Sequence, residues 1–200
     1  MDNSNYWKDQ WYKHPHSKPN LFALQAYKLI EPRYFKTLLD LGCGDGEDSI
    51  FFSNKGLGVT AVDFSESGID LLQKKSKKIK CLLSDIRKIN LPESSFDIVY
   101  SHLGLHYFTN KETDKIFEKI YKILSPGGLL FIKCKSVSDP LFGKGRKIEE
   151  DMFDSDHVRH FFSREYMKEK LQKFKIIKIR KTSSIYGTIR SNFIDAVASK

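Results

Sequence analysis

The segment Leu38-Leu39-Asp40-Leu41-Gly42-Cys43-Gly44-Asp45-Gly46 constrains this chain most, because an apolar strand runs directly into a glycine-rich turn and then into a helical pattern. Glycines in such a turn let the backbone reverse sharply and let a ligand approach where a Cβ would block it. A dinucleotide-binding turn uses GxGxxG, but here the third glycine comes one position early and Glu47 stands where that pattern needs glycine. The charge disagrees as well. Asp40, Asp45, Glu47 and Asp48 surround the turn, and carboxylates at a helix N-terminus compete with a phosphate for the same amides and the same dipole. A ligand that offers cationic groups there fits better.

On either side of the turn, short β-branched or apolar runs alternate with helical patterns, which predicts a mostly parallel α/β sheet. Strands are expected over 37–41, 59–63, 80–84, 96–101, 128–134, 174–182 and 192–198. Helices are expected over 21–30, 47–54, 66–75 after a Ser65 cap, 111–124 and 164–173 after a Ser163 cap. Thr109 with Glu112 three residues on makes a capping box, and Ile116, Phe117, Ile120, Ile123 and Leu124 form the buried stripe behind it. Between the last two strands lies only 183–191 with Gly187, so they form a hairpin and one strand runs antiparallel. The stretch 135–162 is long, carries Pro140, Gly143 and Gly145, and contains Met152, Phe153, Phe161 and Phe162 to bury, which predicts a lid hinged at its glycines.

A length of 200 residues allows one domain, and 40% hydrophobic residues suffice for its core. No apolar stretch reaches the roughly 18 to 20 residues of a membrane span, and the first twenty residues lack an export signal, so a cytoplasmic protein is expected. Cys43, Cys81 and Cys134 cannot all pair and show no CxxC spacing, so they read as reduced core residues. Of the net charge of +9, most falls after Ile132, where 16 basic residues face 9 acidic ones. That excess suits either a lysine-rich solvated face or an anionic partner.

With these residues in place, the chain resembles the class I S-adenosylmethionine-dependent methyltransferases, whose first motif reads acidic-x-Gly-x-Gly-x-Gly; Asp40, Gly42, Gly44 and Gly46 occupy its fixed positions. The resemblance implies a Rossmann-like seven-stranded, mostly parallel sheet with one antiparallel strand in a C-terminal hairpin and helices on both faces. It also implies S-adenosylmethionine as cofactor, with Asp40, Gly42, Cys43 and Gly44 near its methionine portion. Asp63 ends a strand 21 positions beyond Gly42 and is suited to accept from ribose hydroxyls, with Phe64 next to it. Asp85 and Ile86 follow the next strand on the adenine side, and Ser101 ends the fourth. The run from Ser138 to Gly145, Glu149-Glu150, the run from Val158 to Ser163 and the aromatic N-terminus are similar to small bacterial methyltransferases of the tellurite-resistance type. Residues 1–200 are then one methyltransferase domain, with 1–35 as an N-terminal cap and 135–162 as an acceptor lid.

The end of the fourth strand faces the transferred methyl group in this fold, which makes His102 and His106 the candidate proton acceptors. Their i, i+4 spacing also suits a metal pair, but HExxH is absent and no third ligand is in reach, so no metal is expected. Trp7, Trp11 and Tyr12 form either an aromatic cover over a cationic sulfonium or a segment packed on the sheet edge. Trp11, Tyr107, Arg159 and His160 are the candidate acceptor contacts, and Arg159 suits a carboxylate or phosphate because its planar fork donates two parallel hydrogen bonds. The leading expectation is methyl transfer to a small, anionic acceptor. A nucleic-acid methyltransferase is disfavoured because Ser101-His102-Leu103-Gly104 stands where an amino-methylating signature belongs, and a non-catalytic subunit is disfavoured by the intact glycine turn with Asp63 and Asp85.

Overall fold

The computed structural model describes residues 4–7, 9–186 and 189–200; Gly187, expected in the hairpin turn, lies outside them. In chain order the elements are α1 (Ser4–Trp7), α2 (Gln10–Lys13), α3 (Leu21–Ile30), β1 (Thr37–Leu41), α4 (Glu47–Asn54), β2 (Gly58–Asp63), α5 (Glu66–Lys75) and β3 (Lys80–Leu83). A 3₁₀ turn (Ile86–Lys88) leads to β4 (Phe96–His102), α6 (Asn110–Ile123) and β5 (Leu124–Lys135). Then come β6 (Arg146–Glu149), β7 (Met152–Asp154), β8 (Val158–His160), α7 (Arg164–Lys170), β9 (Lys175–Tyr186) and β10 (Ile189–Ser199).

Seven strands form one sheet in the order β3-β2-β1-β4-β5-β10-β9, and β10 runs antiparallel to both of its neighbours. Side chains alternate across the sheet as a period of two requires. Leu38, Ala61, Ile98, Tyr100 and Phe131 pack with Phe22, Phe52 and Leu72, whereas Leu39, Val62, Val99, Leu130 and Ile132 pack with Ile116, Phe117, Ile120 and Met167. Helices α3, α4 and α5 therefore cover one face, and α6 and α7 the other. The caps are as the sequence predicts: Ser65, Thr109 and Ser163 each accept from a backbone amide of the helix they open, and Glu112 completes the capping box by accepting from Thr109 N at 2.9 Å.

Three expectations are corrected. The final hairpin strands extend through most of 183–191, and α7 stops at Lys170 because 171–173 turn before β9. The stretch 135–162 is not a loop but contains the antiparallel sheet β6-β7-β8, whose charged runs of three or four residues are too short to show strand alternation. It is fastened to the domain through Val137 N to Phe162 O at 3.2 Å, Phe162 N to Lys135 O at 2.7 Å and His160 N to His106 O at 2.9 Å. The cysteines are free, with Cys134 buried in the core.

Candidate functional site

The C-terminal ends of β1 to β4 open onto a cavity of about 500 Å³, within the range of small-molecule sites and where ligands bind in open α/β sheets. Its floor begins at the glycine turn. Gly42 has φ +78°, a Cβ there would stand 2.8 Å from Gly104 Cα, and its amide donates to Val62 O at 2.8 Å, which ties the turn to β2. Gly44 has φ +56°, and a Cβ there would stand 2.5 Å from the Trp11 ring, so the N-terminal segment lies directly on the turn.

Asp63, at the end of β2, accepts from Gly44 N and Ser65 N, each at 2.8 Å, and is only 7% exposed. Burial raises its carboxyl pKa, while the amide bonds from Ser65, Gly44 and Phe64 oppose the rise. A carboxylate offers about four acceptor sites, so one is left for a ligand. Asp85, beyond β3, is gripped by Arg87: Nε lies 3.0 and 2.9 Å from the two oxygens, Nη2 2.5 Å from Oδ2, and the Arg87 amide 2.8 Å from Oδ1. Burial opposes ionisation, yet these bonds hold the Asp85 carboxyl below its ordinary range. Arg87 also reaches Glu112 at 2.7 Å, joining the turn after β3 to the start of α6.

Beyond β4, His102, Leu103, Gly104, Tyr107 and Phe108 make the other wall. Burial, then the positive charge of Lys133, lowers the His102 pKa to about 3, so its imidazole is neutral at pH 7. Trp7 and Trp11 stack with centroids 5.4 Å apart at 19° and border the cavity, and Trp7 meets Tyr107 edge-on at 5.9 Å.

The acidic surplus around the glycine turn serves a different purpose from the one its charge suggests. Asp45 accepts from His16 N at 2.6 Å, pairs with His16 Nδ1 at 2.9 Å and with Lys75 at 3.2 Å. Asp48 accepts from Asn20 N and from the Tyr100 hydroxyl, both at 2.9 Å. These two carboxylates fasten the segment that carries Trp7 and Trp11. Asp40 is buried and accepts from Ser49 Oγ at 2.6 Å; burial, then the Asp48 charge, pushes its pKa up to about 8.

Of the residues singled out from the sequence, Gly42, Asp63, Phe64, Asp85, Ile86, His102, Trp7, Trp11 and Tyr107 border the cavity together. Asp40, Cys43, Gly44, Ser101, His106, Arg159 and His160 do not. Gly44 lies under Trp11, the Cys43 thiol faces Gly44 O at 3.6 Å, and Ser101 Oγ donates to Leu41 O at 2.7 Å within the sheet. His106 is fully buried behind the Tyr107 ring, 4.3 Å from it. Arg159 closes on Asp156 at 2.5 and 3.1 Å, and His160 Nδ1 lies 3.0 Å from Phe108 O. The sequence reading missed Gln10, His14, His16, Arg87, Leu103, Gly104 and Phe108. Gly104 had a signal, a glycine just after a strand end, and Arg87, Leu103 and Phe108 stand next to Ile86, His102 and Tyr107 in sequence; Gln10, His14 and His16 come to the strand ends only through the fold.

Residues 38–128 match the methyltransferase domain family. The chain is 33% identical over 103 residues to the cypemycin N-terminal methyltransferase of a Streptomyces species, covering 50% of this chain and 42% of that protein. It is 30% identical over 138 residues to the malonyl-[acyl-carrier protein] O-methyltransferase of Enterobacter lignolyticus, covering 68% of this chain and 53% of that one. The chain thus spans about half the length of these relatives. The crystal structure of TehB from Haemophilus influenzae superposes with a TM-score of 0.74 at 20% identity, over 97% of this chain and 67% of that one, which is a likeness of fold.

Proposed function

We propose that this chain, whose residues 38–128 match the methyltransferase domain family, is a class I S-adenosylmethionine-dependent methyltransferase that transfers a methyl group from that cofactor to a small acceptor molecule. The observation that carries this reading is the buried Asp63 carboxylate at the cavity rim, held by the Gly44, Ser65 and Phe64 amides and with acceptor capacity left for a ribose hydroxyl. The residues fit the cofactor. Gly42 brings bare backbone to the cavity lining, Phe64, Ile86 and Phe108 offer apolar surface for an adenine, and Asp85 stands beside them. The cofactor supplies an electrophilic methyl carbon on a sulfonium. The protein's part is to hold the two reactants in line and exclude water, which Trp7 and Trp11 do from above and the β4 wall does from the side.

The cavity does not support the anionic acceptor that the C-terminal positive charge suggests. Arg159 and His160 stand outside its lining, Arg159 is paired with Asp156, and Arg87, which does border it, is committed to Asp85 and Glu112. His106 is likewise too enclosed to meet an acceptor, which leaves His102 as the imidazole at the methyl-transfer end. Among the described residues no helix is long and apolar enough to cross a membrane. Calorimetric titration with S-adenosylhomocysteine tests the reading: saturable one-to-one binding is expected, and its absence in the folded protein overturns it.

A further inference from the structure

We propose that the acceptor end of the cavity takes a flat, uncharged ring, an aromatic or heteroaromatic molecule, held by Trp7 and Tyr107; this rests on the methyl-transfer reading above. Sheet order assigns the two ends. Asp63, Phe64, Asp85 and Ile86 follow β2 and β3 on one side of the glycine turn, whereas His102 and Tyr107 follow β4 on the other, with Trp7 over Tyr107. Trp7 and Tyr107 meet at 72°, so a flat molecule that lies on one ring presents its edge to the other, the two arrangements that aromatic quadrupoles favour. Trp11 backs Trp7 at 19° and keeps its plane from tilting away.

Charge decides against the alternatives. The basic groups in and around the cavity are engaged: Arg87 with Asp85 at 2.5 Å and Glu112 at 2.7 Å, His16 with Asp45 at 2.9 Å, Lys133 with Asp195 at 3.2 Å, Lys135 with Asp139 at 3.0 Å and Arg159 with Asp156 at 2.5 Å. An anion would have to draw Lys135 from Asp139, a carboxylate only 1% exposed, or Lys133 from Asp195, 4% exposed, whereas Arg159 stands outside the cavity lining. A cation would share the cavity with the donor's sulfonium. What remains for polar recognition is the uncharged His102 imidazole, the Gln10 amide and the His14 ring. Those are hydrogen-bond handles for the ring or exocyclic heteroatoms of a neutral molecule.

The test uses the full chain saturated with S-adenosylhomocysteine at pH 7.5, titrated calorimetrically with quinoline and, separately, with quinoline-3-carboxylate. Quinoline is expected to bind, with its carboxylate at least about 10-fold weaker, and Trp7→Ala, again saturated with S-adenosylhomocysteine, is expected to weaken quinoline about 10-fold. Trp7→Phe, which keeps a ring at the position, should restore most of the quinoline affinity. Equal or tighter binding of the carboxylate overturns the proposal, as does a quinoline affinity that Trp7→Ala leaves unchanged. Nucleoside binding without any quinoline binding overturns the ring alone. Failure of the nucleoside to bind overturns the methyl-transfer reading beneath it.

Discussion

Asp63→Ala separates a ligand-binding aspartate from one that merely shapes a turn. In the folded protein the carboxylate is 7% exposed and its two oxygens accept from Gly44 N and Ser65 N at 2.8 Å each. Hydrogen bonds to a charged group are worth about 1.5 to 3 kcal/mol, so losing one such bond to a ribose hydroxyl corresponds to about 10- to 150-fold in affinity. The same substitution leaves two buried amides without an acceptor, at about 1 to 3 kcal/mol each, so the free protein should also melt earlier. Isothermal titration with S-adenosylhomocysteine, run beside thermal denaturation of the unliganded variant, reads the two effects apart. The expected result is a fall of at least about 10-fold in affinity in protein shown to be folded at the assay temperature. A variant that melts lower but binds within about 2-fold of the parent would show that Asp63 serves the glycine turn alone.

Asp40→Asn should flatten the pH dependence of stability. Burial lifts the folded-state pKa of Asp40 from 3.8 to about 8, so between those values the folded state holds more protons than the unfolded one and stability declines as pH rises; denaturant melts at pH 5 and pH 8 check this, and an undiminished slope in the variant refutes it. Gly42→Ala places a Cβ 2.8 Å from Gly104 Cα at φ +78°, so it should lower stability by more than the roughly 1 kcal/mol of left-handed backbone strain and also weaken S-adenosylhomocysteine binding, both measurable on one purified variant. Thr109→Ala removes the acceptor for Glu112 N and should cost about 1 kcal/mol by urea denaturation while leaving nucleoside affinity unchanged. A parent-like midpoint would mean that the cap contributes nothing.

The sheet was legible in the sequence because its signals are local. Helices α3, α4 and α5 begin and end where expected, and β1 likewise, since a period-two apolar run, a capping serine and a proline or glycine each act within a few residues. The spacing from Gly42 to Asp63 was legible for the same reason: one strand, one turn and one crossover helix fix it. The strands β6 to β8 were not legible, because strands of three or four residues gain their stability from the partners beside them and carry no pattern of their own.

What only the tertiary structure decided is where each charge points. Asp40, Asp45 and Asp48 look alike in sequence, beside one glycine turn. In the fold, Asp40 accepts from Ser49, while Asp45 and Asp48 reach back 29 and 28 residues to hold His16 and Asn20. Arg159 and Arg87 exchange places in the same way: the arginine expected at the acceptor closes on Asp156, and the one that was overlooked clamps Asp85 at the cavity wall. Local patterning sets strands, helices and caps because those bonds close within a turn or two of chain. The partner of a charged side chain is set by packing between distant segments, and desolvation then fixes whether it is ionised, paired or neutral; neither is written into a residue's own neighbourhood in sequence.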